Sequence, residues 1–106
     1  MEIPINNDAP TAVKNDVSIE GIELFQNYPN PYNNETTIDY QLPKSAHVLL
    51  KVYDVLGQEI AILENGNRDA GRHSVIWNNA KYRAQELFYR LKVDGEITIT
   101  KKMIGK

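Results

Sequence analysis

The sequence predicts an all-β fold, an immunoglobulin-like antiparallel β-sandwich of about seven strands. In several short segments apolar and polar residues alternate, which is typical of strands that bury one face. Glycine, proline and asparagine separate these segments at short intervals, as turns between strands require. No stretch has the 3.6-residue period of an amphipathic helix. The chain has no cysteine, so the prediction concerns the architecture and excludes the disulfide of antibody domains.

Composition divides the 106 residues into a linker and one folded domain. Residues 1–21 hold four acidic side chains against one basic side chain, and they lack aromatic residues. A segment with so little apolar surface cannot offset the entropy lost on ordering, so we expect a flexible linker there. The strand signals begin at residue 22, and we expect residues 22–106 to form the domain. We also expect the chain to be the C-terminal part of a longer protein.

The segment before the first long strand is rich in proline. Residues 27–31 read Asn-Tyr-Pro-Asn-Pro. Proline fixes φ near −65° and has no backbone donor, and it disfavours helical geometry in the residue before it. These residues therefore predict a rigid, extended connection. From residue 36 the pattern changes to alternation, with Ile38, Tyr40 and Leu42 on the apolar parity of a strand.

The rest of the chain repeats this pattern of short strands and turns. The predicted strands occupy residues 22–28, 36–42, 47–55, 59–63, 72–77, 86–93 and 96–104. The predicted turns and loops occupy residues 55–58, 65–69 and 78–85 and a two-residue hairpin at Asp94-Gly95. Seven residues on the apolar parity of their strands are expected in the core: Val48, Leu50, Val52, Val75, Trp77, Tyr89 and Leu91.

Titratable side chains give little sign of catalysis. His47 and His73 lie far apart and lack the spacing of a metal-binding pair, so each is interpreted as a hydrogen-bonded strand residue. Asp94 and Glu96 flank a hairpin tip, where carboxylates are solvated rather than held as an acid–base pair. We therefore expect no enzyme activity, no catalytic residue, no cofactor and no metal site.

Charge and hydropathy argue against two classes of partner. A net charge of −2 disfavours nucleic acid, which is bound by strongly basic faces. No run of about 18 apolar residues occurs, so no transmembrane segment is predicted. Basic residues do cluster near the C-terminus and on the strand before it: Arg90, Lys92, Lys101, Lys102 and Lys106. They are either edge-strand charges that block aggregation or a docking surface for an acidic partner.

Aromatic side chains suggest one alternative function. The candidates for a carbohydrate-binding platform are Tyr53, Trp77, Tyr82, Phe88 and Tyr89. Most of them lie on strand positions that predict core or cross-strand packing, and only Tyr53 and Tyr82 are candidates for exposed rings. A carbohydrate-binding module of a secreted hydrolase therefore stays as an alternative.

Five segments, in their order and spacing, make a more specific match. They are residues 27–31, 52–59, 70–77, 88–91 and 100–104, of which 52–59 read VYDVLGQE and 70–77 read AGRHSVIW. Together they resemble the type A C-terminal sorting domain of proteins exported by the type IX (Por) secretion system. The resemblance covers residues 22–106, and the family it indicates has an immunoglobulin-like fold.

The resemblance implies a non-catalytic secretion signal that follows an N-terminal cargo. The type IX translocon would recognise the domain in the periplasm and direct the cargo across the outer membrane to the cell surface or the medium. A sortase-like peptidase would then remove the domain. The family's motifs fall on the residues that the resemblance implies in recognition: Pro29, Asn30, Pro31, Gly57, Gly71, Lys101, Lys102, Met103 and Ile104.

A structural role is the remaining alternative: an immunoglobulin-like spacer or hook-capping-type domain of similar fold. The chain also departs from its relatives in several places. Relatives usually have proline where Asn34 stands and a glycine in the loop at residues 78–85. Ala84-Gln85 stand where relatives have a Ser-Gly pair, and the chain ends Gly105-Lys106 where relatives often continue with aliphatic residues.

Overall fold

The computed structural model describes residues 17–78, 80–82 and 84–106. They form eight strands and one short 3-10 turn at Ala80–Tyr82. The strands are β1 (Val17–Ile19), β2 (Ile22–Leu24), β3 (Glu35–Leu42), β4 (Ala46–Tyr53), β5 (Glu59–Arg68), β6 (Gly71–Asn78), β7 (Glu86–Val93) and β8 (Ile97–Ile104). Seven of them lie within residues 22–106, so the predicted all-β sandwich is confirmed.

Two antiparallel sheets of four strands make up the sandwich. The first sheet has the order β1-β2-β3-β6, and the second has the order β5-β4-β7-β8. β7 and β8 pair along their whole length, from Glu86 opposite Ile104 to Val93 opposite Ile97. The end of the sandwich where β8 finishes, called the C-terminal end below, therefore also holds the start of β7. Within the described residues no helix is long and apolar enough to cross a membrane.

Alternation along the strands builds the core. In β3, every second residue from Thr36 to Leu42 is buried, and the residues between them face solvent or are half-buried. Six of the seven predicted core residues are buried; the seventh, Val75, is half-buried and packs against the core. The other apolar side chains that the two inner faces bury are Ile22, Leu24, Tyr32, Ile38, Tyr40, Leu42, Leu87, Val93, Ile99 and Met103.

The strand boundaries differ from the predicted ones in four main places. The predicted strand 22–28 ends at Leu24, and residues 25–27 belong to the connection that follows. β5 continues through Arg68, so the predicted loop at 65–69 is wrong for its first four residues, which pair with β4 instead. The hairpin after β7 has three turn residues rather than two, because Val93 pairs with Ile97. The first sheet already begins with β1, before the boundary at residue 22 that composition predicts, and residues 1–16 of the predicted linker lie outside the described residues.

A polar cluster ties the two sheets together on the side where β5 and β6 are the edge strands. The Tyr40 hydroxyl of β3 donates a hydrogen bond to Glu64 Oε1 of β5 at 2.6 Å, and Arg68 Nε donates to the same oxygen at 2.9 Å. The His73 ring of β6 stacks on Tyr40 with 5.2 Å between ring centroids, and its Nε2 lies 2.8 Å from the Asp69 carbonyl. These bonds give hydrogen-bond partners to polar groups that lie between the edges of the two sheets.

Candidate recognition site at the C-terminal end

The connection between β2 and β3, residues 25–34, forms a loop that we call the proline loop. Tyr28 exchanges backbone hydrogen bonds with the start of β3, so the loop begins as an extended continuation of the sheet, as the sequence predicts. Pro29, Asn30 and Pro31 are exposed, and both peptide bonds that precede the prolines are cis. The three predicted motif residues therefore lie together on the surface.

A buried hydrogen-bond network holds the base of this loop against the core. The side-chain amide of Asn27 donates to the hydroxyl of Thr36 at 3.0 Å and to the carbonyl of Pro29 at 3.2 Å. The Tyr89 hydroxyl accepts the Asn27 backbone N–H at 2.8 Å and donates to the Phe25 carbonyl at 2.7 Å. Because these groups are buried or part-buried, losing any one of them leaves its partners unsatisfied, which favours the observed conformation of the loop.

The proline loop and the last residues of the chain are joined directly. Tyr32 donates its backbone N–H to the carbonyl of Ile104 at 3.0 Å, and Lys106 donates to the carbonyl of Tyr32 at 2.8 Å, which makes a short parallel bridge. The Asn30 side-chain oxygen accepts the backbone N–H of Ile104 at 3.0 Å. Two motifs that are 74 positions apart in sequence thus form one surface.

The penultimate residue is enclosed on its other side. Gly105 is buried and donates to the carbonyl of Gln85 at 2.9 Å. A Cβ at Gly105 would lie 3.1 Å from the backbone nitrogen of Ala84, closer than ordinary van der Waals contact. Residues 84 and 85 therefore meet Gly105 here. Residues 105 and 106 are thus hydrogen-bonded to Gln85 on one side and to Tyr32 of the proline loop on the other.

A tryptophan–tyrosine pair supports the join from within. Tyr32 is buried, and its hydroxyl accepts a hydrogen bond from Trp77 Nε1 of β6 at 3.1 Å. Burial raises the pKa of the Tyr32 phenol, and the hydrogen bond from Trp77 offsets part of that rise. The ring therefore stays neutral and fixes the proline loop to the first sheet while the loop backbone holds the end of β8.

The four predicted residues of the terminal segment point in different directions. Met103 is fully buried, and Ile104 is 40% exposed. Lys102 faces outward and its Nζ lies 3.0 Å from Glu86 Oε2, in a pair that is largely solvent-exposed. Lys101 is half-buried and lies on the same strand parity as Met103. Lys102 and Ile104 thus present the terminal segment to solvent, and Met103 closes the sandwich.

The two predicted glycines lie outside this surface. Gly57 has a φ of +84° in the β4–β5 turn, at the C-terminal end of the sandwich, where Asp54 Oδ1 accepts the backbone N–H groups of Leu56 and Gln58. Gly71 has a φ of +121° and lies opposite Leu42, at the other end. Each allows its backbone a conformation that other residues rarely adopt. The structure does not bring them to the proline loop.

The aromatic side chains do not form a row of exposed rings. Trp77 and Tyr89 are buried, Tyr82 packs against the core, and the Tyr53 ring lies under the Arg90 guanidinium at 4.7 Å. The strongly exposed ring is Tyr28, at 80%, which the sequence analysis did not single out. No group of three or more metal-binding side chains occurs among the residues that the structure describes.

Four residues that shape this site were missed in the sequence: Asn27, Tyr32, Thr36 and Gly105. Thr36 carried a signal, because it shares the apolar parity of β3 and a buried hydroxyl needs a partner. Asn27 and Tyr32 lie in an irregular segment, where no period indicates which side chains are buried. Gly105 is explained only by the approach of residues 84 and 85, which local sequence does not contain.

Comparison with known families agrees with the resemblance. A family model described as a secretion system C-terminal sorting domain matches residues 26–106. No curated protein and no solved structure matches the chain. The matched range contains both the proline loop motif and the terminal strand, and it covers most of the chain. The protein therefore belongs to the C-terminal sorting domains of the type IX (Por) secretion system, a family that is generally non-catalytic and marks secreted or cell-surface proteins.

Proposed function

We propose that the type IX translocon reads one composite surface, made by the proline loop and the end of β8. The observation that carries this proposal is the direct bonding of Asn30 and Tyr32 to Ile104 and Lys106. The backbone of residues 104–106 is hydrogen-bonded on both sides, to the proline loop and to Gln85. A partner that reads the proline motif and the terminal lysines therefore meets them in one fixed arrangement, available only in the folded domain.

Two exposed features give this surface its chemistry. The Tyr28 ring and the Ile104 side chain offer apolar area, and Lys102 and Lys106 offer positive charge. Interfaces commonly centre on such apolar side chains with a charged rim. Gly57 and Gly71 then act by shaping turns, and Met103 by completing the core, rather than by touching the translocon.

The proposed route follows from the family. The cargo reaches the periplasm, the translocon recognises the folded domain and moves the cargo across the outer membrane, and a sortase-like peptidase removes the domain. The cut should fall in or near residues 1–21, because their composition is that of a linker and peptidases favour such segments. Mass spectrometry of the mature cargo would locate it, and a cut within β3 to β8 would contradict this step.

The test of the proposed function uses the whole chain. Residues 1–106 are fused behind an exported fluorescent reporter in a bacterium with a type IX system and in a strain that lacks the translocon. We expect the reporter on the cell surface or in the medium of the first strain only. Deletion of residues 101–106 should retain the reporter in the periplasm. Equal release from both strains would overturn the proposal and favour a spacer domain.

A further inference from the structure

A shallow groove lies on the outer face of the second sheet, beside the end of β8, where Phe88 is opposite Lys102. It encloses about 270 Å³, and its lining includes Tyr53, Val55, Phe88, Arg90 and Thr100. Asp54 lines it as well, but its carboxylate accepts the backbone N–H groups of Leu56 and Gln58 within the β4–β5 turn. Its apolar part is formed by Phe88, which is half-buried, and by Val55 of the β4–β5 turn, which is 61% exposed. A second depression of about 50 Å³ adjoins it, and Tyr53 and Arg90 line both.

Arg90 stands at the centre of this face without an anionic partner. Its guanidinium lies 4.7 Å from the centroid of the Tyr53 ring, and its Nε donates to the Thr100 hydroxyl at 3.2 Å. Among the residues that the structure describes, no carboxylate lies within ion-pair distance of Arg90 or of Lys92, two positions along the same strand. Both side chains are exposed. The position therefore combines a fixed guanidinium with an unneutralised ammonium.

The neighbouring charges make this arrangement unfavourable for the isolated domain. Lys51 of β4 lies directly opposite Arg90, and like charges in that position destabilise a sheet. Lys51 is paired with Glu59 at 2.8 Å, but no comparable acid serves Arg90. In the first sheet, by contrast, Arg72 is paired with the carboxylate of Asp39 at 2.9 Å. A cluster that costs stability in the free domain is explained if a bound anion offsets the repulsion.

We propose that this groove binds an extended, acidic segment of a protein partner. An apolar side chain of the segment would fill the depression between Val55 and Phe88. Carboxylates two and four positions further along would face Arg90 and Lys92, because side chains two apart in an extended chain repeat at about the same spacing as those of β7. The groove adjoins the composite surface at Lys102, which lies opposite Phe88, but the proposal is argued from the contacts and charges of the groove alone.

The shape of the face favours a peptide over a lipid surface. A membrane-binding site presents a convex apolar edge with basic residues around it. Here Val55 and Phe88 line a concave floor with Arg90 beside it, which a single side chain of an extended peptide can enter and a flat bilayer cannot. An anionic vesicle is therefore the competitor to test against the peptide.

The experiment uses the full 106-residue chain, labelled for amide NMR, and a synthetic heptapeptide with one leucine followed by glutamates two and four positions later. We expect saturable shifts at Phe88, Arg90 and Thr100, weakening as salt is raised. Arg90→Glu and Lys92→Glu should each lower the affinity about fivefold or more. Lys44→Glu is the matched control, since it reverses the charge of an exposed lysine at the opposite end of the sandwich, and it should bind as the wild type does.

The Tm of each variant shows whether a loss of affinity comes from the binding site or from unfolding of the domain. Arg90→Glu loses the guanidinium contacts with Tyr53 and Thr100 but places a carboxylate opposite Lys51, so we expect its Tm to stay close to that of the wild type while its affinity falls. The absence of saturable shifts at about 1 mM peptide would overturn the proposal. Equal affinity for a peptide with lysines in place of the glutamates would overturn it as well, as would stronger binding to vesicles of anionic lipid than to the peptide. Because reporter export is measured separately, loss of either function leaves the other testable.

Discussion

Ile104 donates its backbone N–H to the side-chain oxygen of Asn30 at 3.0 Å, which ties the last strand to the exposed turn between two prolines. Asn30 supplies an acceptor to a backbone group that would otherwise end β8 in solvent. The same residue of the proline motif is thus both a surface feature and a structural clamp. Its two possible roles, recognition and positioning of the chain end, have different consequences when it is replaced.

The first prediction concerns this clamp. Asn30→Ala removes the acceptor, and we expect the free energy of unfolding to fall by about 0.5–1.5 kcal/mol, as for an exposed hydrogen bond. Export of a fused reporter should fall more steeply than this loss explains, because the chain end is released from the proline loop. Urea denaturation measures the first effect and surface fluorescence the second. Asn34→Ala, an exposed asparagine of the same loop with no hydrogen bond to β8, should change neither.

The second prediction concerns the enclosure of the chain end. Gly105→Ala would place a Cβ 3.1 Å from the backbone nitrogen of Ala84, and backbone does not yield easily. We expect a loss of about 1–3 kcal/mol, typical of inserting a methyl group into a packed site. Lys106→Ala removes only an exposed side chain and should leave the thermal midpoint unchanged. Equal stability of the two variants would mean that the chain end is not held as described.

The sequence predicts those parts of the fold and of the composite surface that depend on residues close together in the chain. The central strands were predicted because residues such as Leu50 and Leu91 alternate with polar neighbours and are buried by two sheets. The predicted β5 is too short, because its last residues are polar on both faces of the strand and give no alternation. These residues still form a strand, because an edge strand pairs on one side only. Asn65, for example, pairs with Leu49 of β4. The pairing of Asn30 with Ile104 could not be predicted, because it joins segments from two sheets.

The third prediction concerns pH. Burial alone would raise the pKa of the Glu64 carboxyl, but the hydrogen bonds from Arg68 and Tyr40 outweigh burial and hold that pKa below its usual value. The His73 charge acts in the same direction. The carboxylate therefore contributes stability that is present above its unfolded-state pKa and is lost as the pH falls through the lower folded-state pKa.

Glu64→Gln tests this directly. Above pH 5 the variant should be less stable than the wild type by about 1.5–3 kcal/mol, the range for hydrogen bonds to a charged group. As the pH falls below the folded-state pKa of Glu64, the two free energies of unfolding should converge, because the wild-type carboxyl is then neutral as well. Urea denaturation between pH 3 and pH 7 gives both curves. A gap that does not narrow at low pH would assign the loss to packing instead of charge.

The last prediction separates charge from structure at Lys102. Lys102 faces outward and pairs with Glu86 at 3.0 Å, but both side chains are about half exposed, so the pair contributes little to stability. Lys102→Glu should shift the free energy of unfolding by less than about 1 kcal/mol. If the translocon reads the positive charge at this position, export of the reporter should nevertheless fall sharply.

The double variant Lys102→Glu with Glu86→Lys restores the ion pair with its two charges exchanged. It should recover the stability of the wild type, because the pair is remade across the same two strands. Export should stay low, since the positive charge has moved from β8 to β7. If the exchange also restores export, then only the ion pair or the net charge matters, and Lys102 protects an edge strand. If the single reversal exports normally, the composite surface does not include Lys102, and recognition rests on the proline loop and Ile104.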